Sequence, residues 1–236
     1  MVPAIDQYKK QLANSGAEGI LAFFSAKFSG KCIFASSLGA EDQVLTDIIA
    51  KNYPGIRIFT LDTGRLFQET YDLIHITEQK YNKKIEIFFP DASLVQDMVN
   101  SKGINLFYES QANRKECCHI RKIEPLKRAL GGMKVWITGL RKSQSASRSD
   151  IELLDWDHEY SLIKVNPLLN WTEPEVWTYI RSHKVPYNTL HDSGYPSIGC
   201  LPCTRAVLPG EDIRAGRWWW EDESNRECGL HDKEDK

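Results

Sequence analysis

The chain has 236 residues, of which 42% are hydrophobic, and this suits one α/β core with a shorter segment attached. A chain of this composition can bury a sizeable core, which excludes global disorder. Its 30 basic and 32 acidic residues leave a net charge of -2, so the protein lacks the field that would hold nucleic acid. The beginning, MVPAIDQYKKQLANSG, lacks the apolar segment of a secretion signal, and no apolar run could span a bilayer. We therefore expect a cytoplasmic protein with neither nucleic acid nor a membrane as partner.

Short runs rich in β-branched and aromatic residues alternate with helix-like stretches along much of the chain. This alternation predicts an α/β fold with an open, mostly parallel sheet and flanking crossover helices. The predicted strands are 31–36, 56–61, 84–89, 134–139 and 161–166.

Two helices have clear signals. Apolar residues recur at helical spacing from Val44 to Ile49 and predict the first crossover helix. Thr172 and Glu175 form a capping box, which predicts a helix from about residue 173 to Ser182.

The composition changes after about Leu190, where glycine, proline and charged residues increase and periodicity is lost. Such a region is typical of functional loops. We therefore expect an α/β domain over 1–210 and a mobile C-terminal tail over 211–236.

The first predicted strand runs into the segment SSLGAED and then into a helix. Backbone N–H groups at such a junction bind phosphate or sulfate, which makes Ser36, Ser37 and Gly39 candidate substrate ligands. An ordinary helix cap is the alternative, since serine and glycine are common there for that reason alone.

The second predicted strand ends in LDTGRL, at the edge of a parallel sheet where ligands bind. Asp62, Thr63 and Gly64 are candidates for contact with a nucleotide, and Arg65 for contact with an anion. The alternative is a tight turn in which Asp62 caps the backbone.

Four of the six cysteines form two pairs, the adjacent Cys117 and Cys118 and the CxxC of Cys200 and Cys203. Four thiolates from two segments suit an iron-sulfur cluster or a tetrahedral zinc ion. The adjacency favours a cluster, because neighbouring residues reach separate irons more easily than one zinc. A vicinal disulfide beside a redox CxxC is a third interpretation. Cys32 lies in an apolar run and is expected to be a buried core thiol.

Basic residues gather near these motifs and near a central loop, GLRKSQSASR. A nearly neutral protein that collects cations at loop ends is typical of a binder of small anions, although many such side chains are simply solvated. The candidates for substrate binding are Lys122, Arg141, Arg148, Arg214 and Arg217.

The last residues contain Cys228 and His231 in GRWWWEDESNRECGLH. A cysteine in such a polar segment is either incidental or a nucleophile on a moving arm, and nearby cations would favour its thiolate. The residues Trp218–Trp220 are interpreted as packing that anchors the arm, with a docking surface as the alternative.

The segments CCHIRK, GCLPCTR, GRWWWE and ECGLH follow SSLGAED in one order along nearly the whole chain. Together they resemble the assimilatory adenylylsulfate reductases, which are relatives of the phosphoadenylylsulfate reductases in the adenine-nucleotide alpha-hydrolase-like superfamily. The resemblance implies that Cys117, Cys118, Cys200 and Cys203 hold a 4Fe-4S cluster.

It also implies reduction of adenosine 5'-phosphosulfate to sulfite and AMP, in sulfate assimilation for cysteine biosynthesis. Cys228 would attack the sulfur, AMP would leave, and thioredoxin or glutaredoxin would release sulfite from the S-sulfocysteine. His231 would assist closure of the tail. Some cluster-bearing members also accept the 3'-phosphorylated nucleotide, and a homo-oligomer is left open.

Two other functions compete with this one. A zinc-binding ATP pyrophosphatase would share the sheet, but SSLGAED lacks the phosphate-loop pattern expected of it. A non-catalytic iron-sulfur redox sensor would need neither the nucleotide nor Cys228.

Overall fold

A computed structural model describes residues 5–144 and 150–222 of the chain. Three predicted site residues, Arg148, Cys228 and His231, lie outside these ranges.

The sheet has six strands in the order β3-β2-β1-β4-β6-β5. The strand β1 pairs in parallel with β2 and β4, β4 pairs in parallel with β6, and β5 runs antiparallel to β6. The predicted open, mostly parallel sheet is therefore confirmed. The strands are β1 Cys32–Ala35, β2 Arg57–Leu61, β3 Glu86–Phe88, β4 Val135–Ile137, β5 Leu154–Asp157 and β6 Leu162–Val165.

Each of the five predicted runs contains one of these strands, and β5 is the strand that the sequence did not predict. Its sequence LDWD places Asp155 and Asp157 in a strand, and acidic residues are depleted in strands. An edge position next to β6 tolerates them, because one side of the strand has no neighbour in the sheet order.

Eight helices lie within the described residues, and several begin at side-chain caps. Asp91 accepts hydrogen bonds from the N–H groups of Ser93 and Leu94, and the predicted capping box of Thr172 and Glu175 is present. The helices are α1 Ile5–Leu12, α2 Ala17–Lys27, α3 Ala40–Asn52, α4 Gln68–Tyr81, α5 Ala92–Lys102, α6 Gln111–Cys118, α7 Glu124–Leu130 and α8 Glu173–Ser182. None of these helices is long and apolar enough to traverse a lipid bilayer.

The chain divides into two compact units. The first comprises the residues up to Thr60, Glu69–Glu86 and Leu130–Asn188, and it contains most of the sheet. Its core is built from strand residues such as Phe34 and Ile137, and it includes Cys32, which is buried as predicted.

The first unit also buries a carboxylate. Asp47 on α3 accepts hydrogen bonds from the hydroxyls of Tyr81 and Tyr179, at 2.7 and 2.8 Å, and from the Lys51 ammonium at 2.8 Å. Burial raises the pKa of the Asp47 carboxyl, but these three donors outweigh it and hold that pKa below its ordinary value.

The second unit comprises Leu61–Gln68, Ile87–Ala129 and the chain from Thr189 onward. It has few strands, and a smaller apolar cluster forms its core, with Met98, Phe107 and Trp218 among the buried members. Loops and short 3-10 turns dominate after Leu190, as predicted. The separate tail predicted over 211–236 stays a prediction, because most of it lies outside the described residues.

Candidate active site and cysteine cavity

Four cysteines of the second unit line one cavity. Cys117 and Cys118 end helix α6, and the chain continues as a π-helical turn over His119–Ile123. Cys200 and Cys203 flank a tight 3-10 turn, in which Cys203 N–H donates to the Cys200 carbonyl at 2.9 Å. The two cysteine motifs, more than eighty residues apart in the chain, thus meet in one place.

The remaining wall of the cavity is aromatic and cationic. Four basic side chains lie in it, and such a density of positive charge around buried sulfur favours an anionic occupant. The other lining residues are Arg65, Phe107, Arg114, Arg121, Lys122, Pro202 and Trp218. Lys122, predicted from its position four residues after Cys118, is among them.

Arg121 is buried, and its Nη1 donates to the Thr63 carbonyl at 2.6 Å. Its Nε has no hydrogen-bond partner among the described residues. An unpaired donor on a buried cation costs free energy, so this atom is suited to a ligand acceptor.

The LDTGRL turn belongs to the same unit and contacts the second cysteine motif. Asp62 Oδ1 accepts from the Gly64 N–H at 2.7 Å, so the turn has the Asx cap proposed as the alternative interpretation. It also reaches sulfur, because Thr63 Oγ1 lies 3.3 Å from Cys200 Sγ. The Arg65 carbonyl accepts from Leu201 N–H at 2.8 Å.

Two of the cavity thiols are strongly affected by burial. Burial raises the pKa of Cys203 to about 12, although Lys122 and Arg217 oppose the shift. Burial also raises the pKa of Cys117, and the charge of Arg121 offsets this only in part. Both thiols are therefore neutral at pH 7 in the metal-free protein, and a metal that binds them must displace their protons.

The four cysteines of the cavity are a donor set that an iron-sulfur cluster could use. In residues 5–144 and 150–222, no group of three or more His, Cys, Asp or Glu side chains could hold one metal ion. A cubane binds each thiolate through a different iron, so its ligands stand farther apart than those of tetrahedral zinc. Four thiols around one cationic cavity, with the Thr63 hydroxyl beside Cys200, suit that larger group.

Arg217, a predicted substrate ligand, is 7% exposed and lies beside the cysteine motif. Its Nη1 donates to Ser197 Oγ at 3.2 Å and to the Ile198 carbonyl at 3.3 Å, and its guanidinium lies 4.8 Å from the centre of the Trp218 ring. Its Nε has no partner in the described part of the chain. The Arg217 guanidinium packs against residue 199, which is a glycine. A Cβ at that position would lie 2.3 Å from Arg217 Nη2.

Arg214, also a predicted ligand, is half-buried. Its backbone N–H donates to Asp212 Oδ1 at 2.8 Å, in the turn that leads to Arg217.

The SSLGAED loop lies in the first unit, where Gly39 caps helix α3. The carboxylate of Asp42 accepts from both the N–H and the hydroxyl of Ser37, at 2.6 Å each, and Ser36 Oγ accepts from the Leu38 N–H at 3.2 Å. The loop therefore satisfies part of its donors with its own side chains, which the sequence did not predict.

Arg141, in the first unit as well, is buried and bound to protein atoms. Its Nε and Nη2 each lie 2.8 Å from Glu41 Oε1, and its Nη1 donates to Ser143 Oγ at 2.6 Å and to the Trp171 carbonyl at 3.2 Å. Its predicted role as a substrate ligand requires an anion to compete with Glu41.

Arg114 lines the cavity, Glu221 binds Arg114, and neither residue was predicted as part of the site. Arg114 lies three residues before Cys117 on α6, and this spacing, which places both on one helix face, was the available signal. No sequence signal connects it to Glu221, which pairs with it across 107 residues.

Comparison with known proteins agrees with the fold and the motifs. The phosphoadenosine phosphosulfate reductase domain matches residues 31–206. A protein of Allochromatium vinosum named adenosine 5'-phosphosulfate reductase is 54% identical over 202 residues, which cover 86% of this chain and 79% of the relative. One of the same name from Burkholderia cepacia is 51% identical over 201 residues, covering 85% and 80% of the two chains.

Among solved structures, a phosphoadenylyl-sulfate reductase from Candida auris in complex with phosphate superposes with a TM-score of 0.74 and 29% identity. The superposition covers 86% of this chain and 96% of the other. The chain therefore belongs to the phosphoadenosine phosphosulfate reductase family, together with the adenosine 5'-phosphosulfate reductases that it matches.

Proposed function

We propose that the protein reduces adenosine 5'-phosphosulfate to sulfite and AMP in cytoplasmic sulfate assimilation. The observation that carries this proposal is the cavity in which two cysteine pairs lie among basic side chains, in a chain whose relatives at about half identity are named for this activity. An anionic, sulfur-bearing substrate suits such surroundings.

The proposed reaction uses Cys228 as nucleophile. Its thiolate attacks the sulfur of the sulfate group, so that a sulfur–sulfur bond forms while the sulfur–oxygen bond to the phosphate breaks. AMP leaves with the bonding electron pair, and the enzyme carries S-sulfocysteine. One thiol of thioredoxin or glutaredoxin then attacks the Cys228 sulfur, so that sulfite departs and a mixed disulfide forms. The second thiol of the reductant displaces Cys228, and the reductant becomes a disulfide.

Positive charge is required because a thiolate and a sulfate repel each other. Cations that hold the anion and neutralise charge on the leaving group lower this barrier. We assign that role to Lys122, Arg214 and Arg217 of the second unit, and to Arg141 and Arg148 by prediction alone.

The nucleotide itself is assigned to the two loops that follow β1 and β2. Ser36, Ser37 and Gly39 would bind a phosphate oxygen, and Asp62 to Arg65 would contact the ribose or the anion. His231 would act near Cys228 when the tail closes.

We infer that Cys117, Cys118, Cys200 and Cys203 hold a 4Fe-4S cluster. When bound, this group would supply polarisation of the sulfate beside Lys122, without passing electrons. The chain's own contribution is a partly apolar wall: Cys200 and Cys203 are buried, Cys117 and Cys118 are partly buried, and Phe107 and Trp218 line the cavity beside them.

The decisive experiment mixes protein purified without oxygen with adenosine 5'-phosphosulfate and measures intact mass. A sulfonate adduct on the wild type that is absent from Cys228→Ser supports the mechanism. Cys32→Ser is the matched control, because Cys32 is a buried thiol of the first unit that donates to the Phe24 carbonyl, and it should retain the adduct. An adduct on Cys228→Ser would refute the proposal.

The same samples separate the competing functions. Iron and acid-labile sulfide in the purified protein favour the cluster, whereas zinc without iron contradicts it. A non-catalytic sensor would contain iron but form no adduct with either nucleotide.

The 3'-phosphorylated nucleotide is the alternative substrate, because the similar structure from Candida auris is named a phosphoadenylyl-sulfate reductase. The more similar relatives carry the name of the unphosphorylated substrate, so we expect that substrate to give the higher kcat/KM. Competition of the two nucleotides in one sulfite-release assay measures this ratio directly. Gel filtration of the same preparation tests for a homo-oligomer.

A further inference from the structure

A buried ion pair connects the cysteine helix to the segment that precedes residue 223. Arg114 Nε lies 2.9 Å from Glu221 Oε1 and Nη2 lies 2.8 Å from Oε2, a two-point contact. The two side chains are only 2% and 7% exposed. Both residues belong to the second unit, and they come from α6 and from the turn after Trp220.

An aromatic ring packs against the arginine of the pair. The Arg114 guanidinium lies 4.6 Å from the centre of the Trp218 ring, and the Arg217 guanidinium lies 4.8 Å from the same centre. Arg114 also lines the cysteine cavity. One side chain therefore contacts the cavity, the aromatic core and the C-terminal segment.

Such a pair adds little net stability, but it fixes the position of its two side chains relative to each other. The cost of desolvating two charges offsets much of their attraction, whereas a planar fork on a carboxylate permits one geometry. Of the other ion pairs in this unit, Arg205–Glu211 is also two-pointed, but both of its side chains are about one third exposed.

We propose that the Arg114–Glu221 pair is a positioning anchor, which holds the base of the C-terminal segment against helix α6 so that Cys228 reacts from a fixed point. This inference rests on the proposed function, since the pair has a thiol to position only if Cys228 is the nucleophile. Glu221 precedes Cys228 by seven residues, and seven residues of fully extended chain span at most about 25 Å. Fixing one end of a short tether raises the effective concentration of its other end at a nearby site.

The test uses Arg114→Met combined with Glu221→Met, since apolar side chains of similar length can replace a buried pair without loss of folding. We expect the single-turnover rate of adduct formation to fall by about 10- to 100-fold in this variant. Glu221→Gln keeps Arg114 in the cavity wall, so it should bind iron and AMP like the wild type. Glu211→Gln is the matched control and should react at the wild-type rate.

Single variants separate positioning from direct contact with substrate, since Arg114 lines the cavity. Glu221→Gln leaves Arg114 in place, and it should slow the adduct rate while KM stays unchanged. If only Arg114→Met slows the reaction, or if the AMP affinity and iron content of Glu221→Gln fall in step with its rate, the anchor is refuted. A wild-type rate in the double methionine variant also refutes it.

One readout does not depend on the reaction. Trypsin can cut after Arg226, and mass analysis counts molecules that have lost residues 227–236. We expect faster cleavage in the double methionine variant than in Glu211→Gln. Equal cleavage rates contradict the anchor, whereas a wild type that forms no adduct contradicts the proposed function instead.

Discussion

Gly199→Ala should weaken substrate binding through Arg217. A Cβ at residue 199 would lie 2.3 Å from Nη2 and 2.6 Å from Cζ of Arg217, where ordinary contact begins at 3.4 Å. The guanidinium must therefore move by about 1 Å or more. Because the atoms met are the end of a flexible side chain, the cost in unfolding free energy should lie at the low end of the about 1–3 kcal/mol typical of overpacking.

The effect on binding follows from what Arg217 would lose. A hydrogen bond to a charged group contributes about 1.5–3 kcal/mol, and 1.4 kcal/mol corresponds to a tenfold change in Kd. If Arg217 binds the anion, Gly199→Ala should raise the KM for adenosine 5'-phosphosulfate by about 10- to 140-fold. Gly55→Ala is the control, because a Cβ at residue 55 meets no atom within 4 Å.

The assay measures single-turnover adduct formation across substrate concentrations, with thermal unfolding in parallel. A cycle with Arg217→Ala isolates the cause: if Gly199 acts only by leaving room for Arg217, the double variant should bind no worse than Arg217→Ala alone. A Gly199→Ala protein that binds substrate like the wild type would refute the reasoning. If the losses in binding free energy add in the double variant, residue 199 does not act on binding through Arg217.

Two further perturbations test the two units separately. Asp47→Asn should lower the unfolding free energy by about 2–3 kcal/mol at pH 7, since it weakens the charged hydrogen bonds from Lys51 and two tyrosines. Because the folded-state pKa of Asp47 is depressed, its contribution exists above the unfolded pKa and is lost as pH falls through the folded one, so urea denaturation should show the gap to Asn closing in acid. Cys203→Ala should lose most of its iron by elemental analysis, whereas Cys32→Ala, at a buried thiol outside the cavity, should retain it; equal iron in both would remove Cys203 from the ligand set.

The sheet could be predicted because its information is local. Runs such as CIFA and RIFTL are mostly apolar, and each contains an isoleucine and a phenylalanine, which buried parallel strands favour. The edge strand β5 lacks this signal, since aspartate is depleted in strands, and the backbone N–H groups that Asp155 and Asp157 accept from are evident only in the folded chain. Likewise, the residues HIRKI carry no signal for the π-helical turn that follows Cys118.

Convergence of the two cysteine pairs was predictable from residue type, whereas the way the cavity is held together was not. Thiols in two pairs signal a shared site wherever they occur in a chain. An arginine and a glutamate carry no such signal, because most of them are solvated, and only the folded chain shows that Arg114 and Glu221 are buried together. Sequence therefore identifies the groups that carry unusual chemistry, and it misses the common residues that position them.

This asymmetry has a physical consequence for the site. Replacing a cysteine of the cavity removes a chemical group, and the loss should be nearly complete whatever the surroundings. Replacing Gly199 or Glu221 leaves every reacting group in place and alters only distances, so the loss should be graded and should depend on how far the neighbours relax. Variants of the second kind therefore report on geometry, and they can show how closely Arg217 and the C-terminal segment must be held for the reaction to proceed.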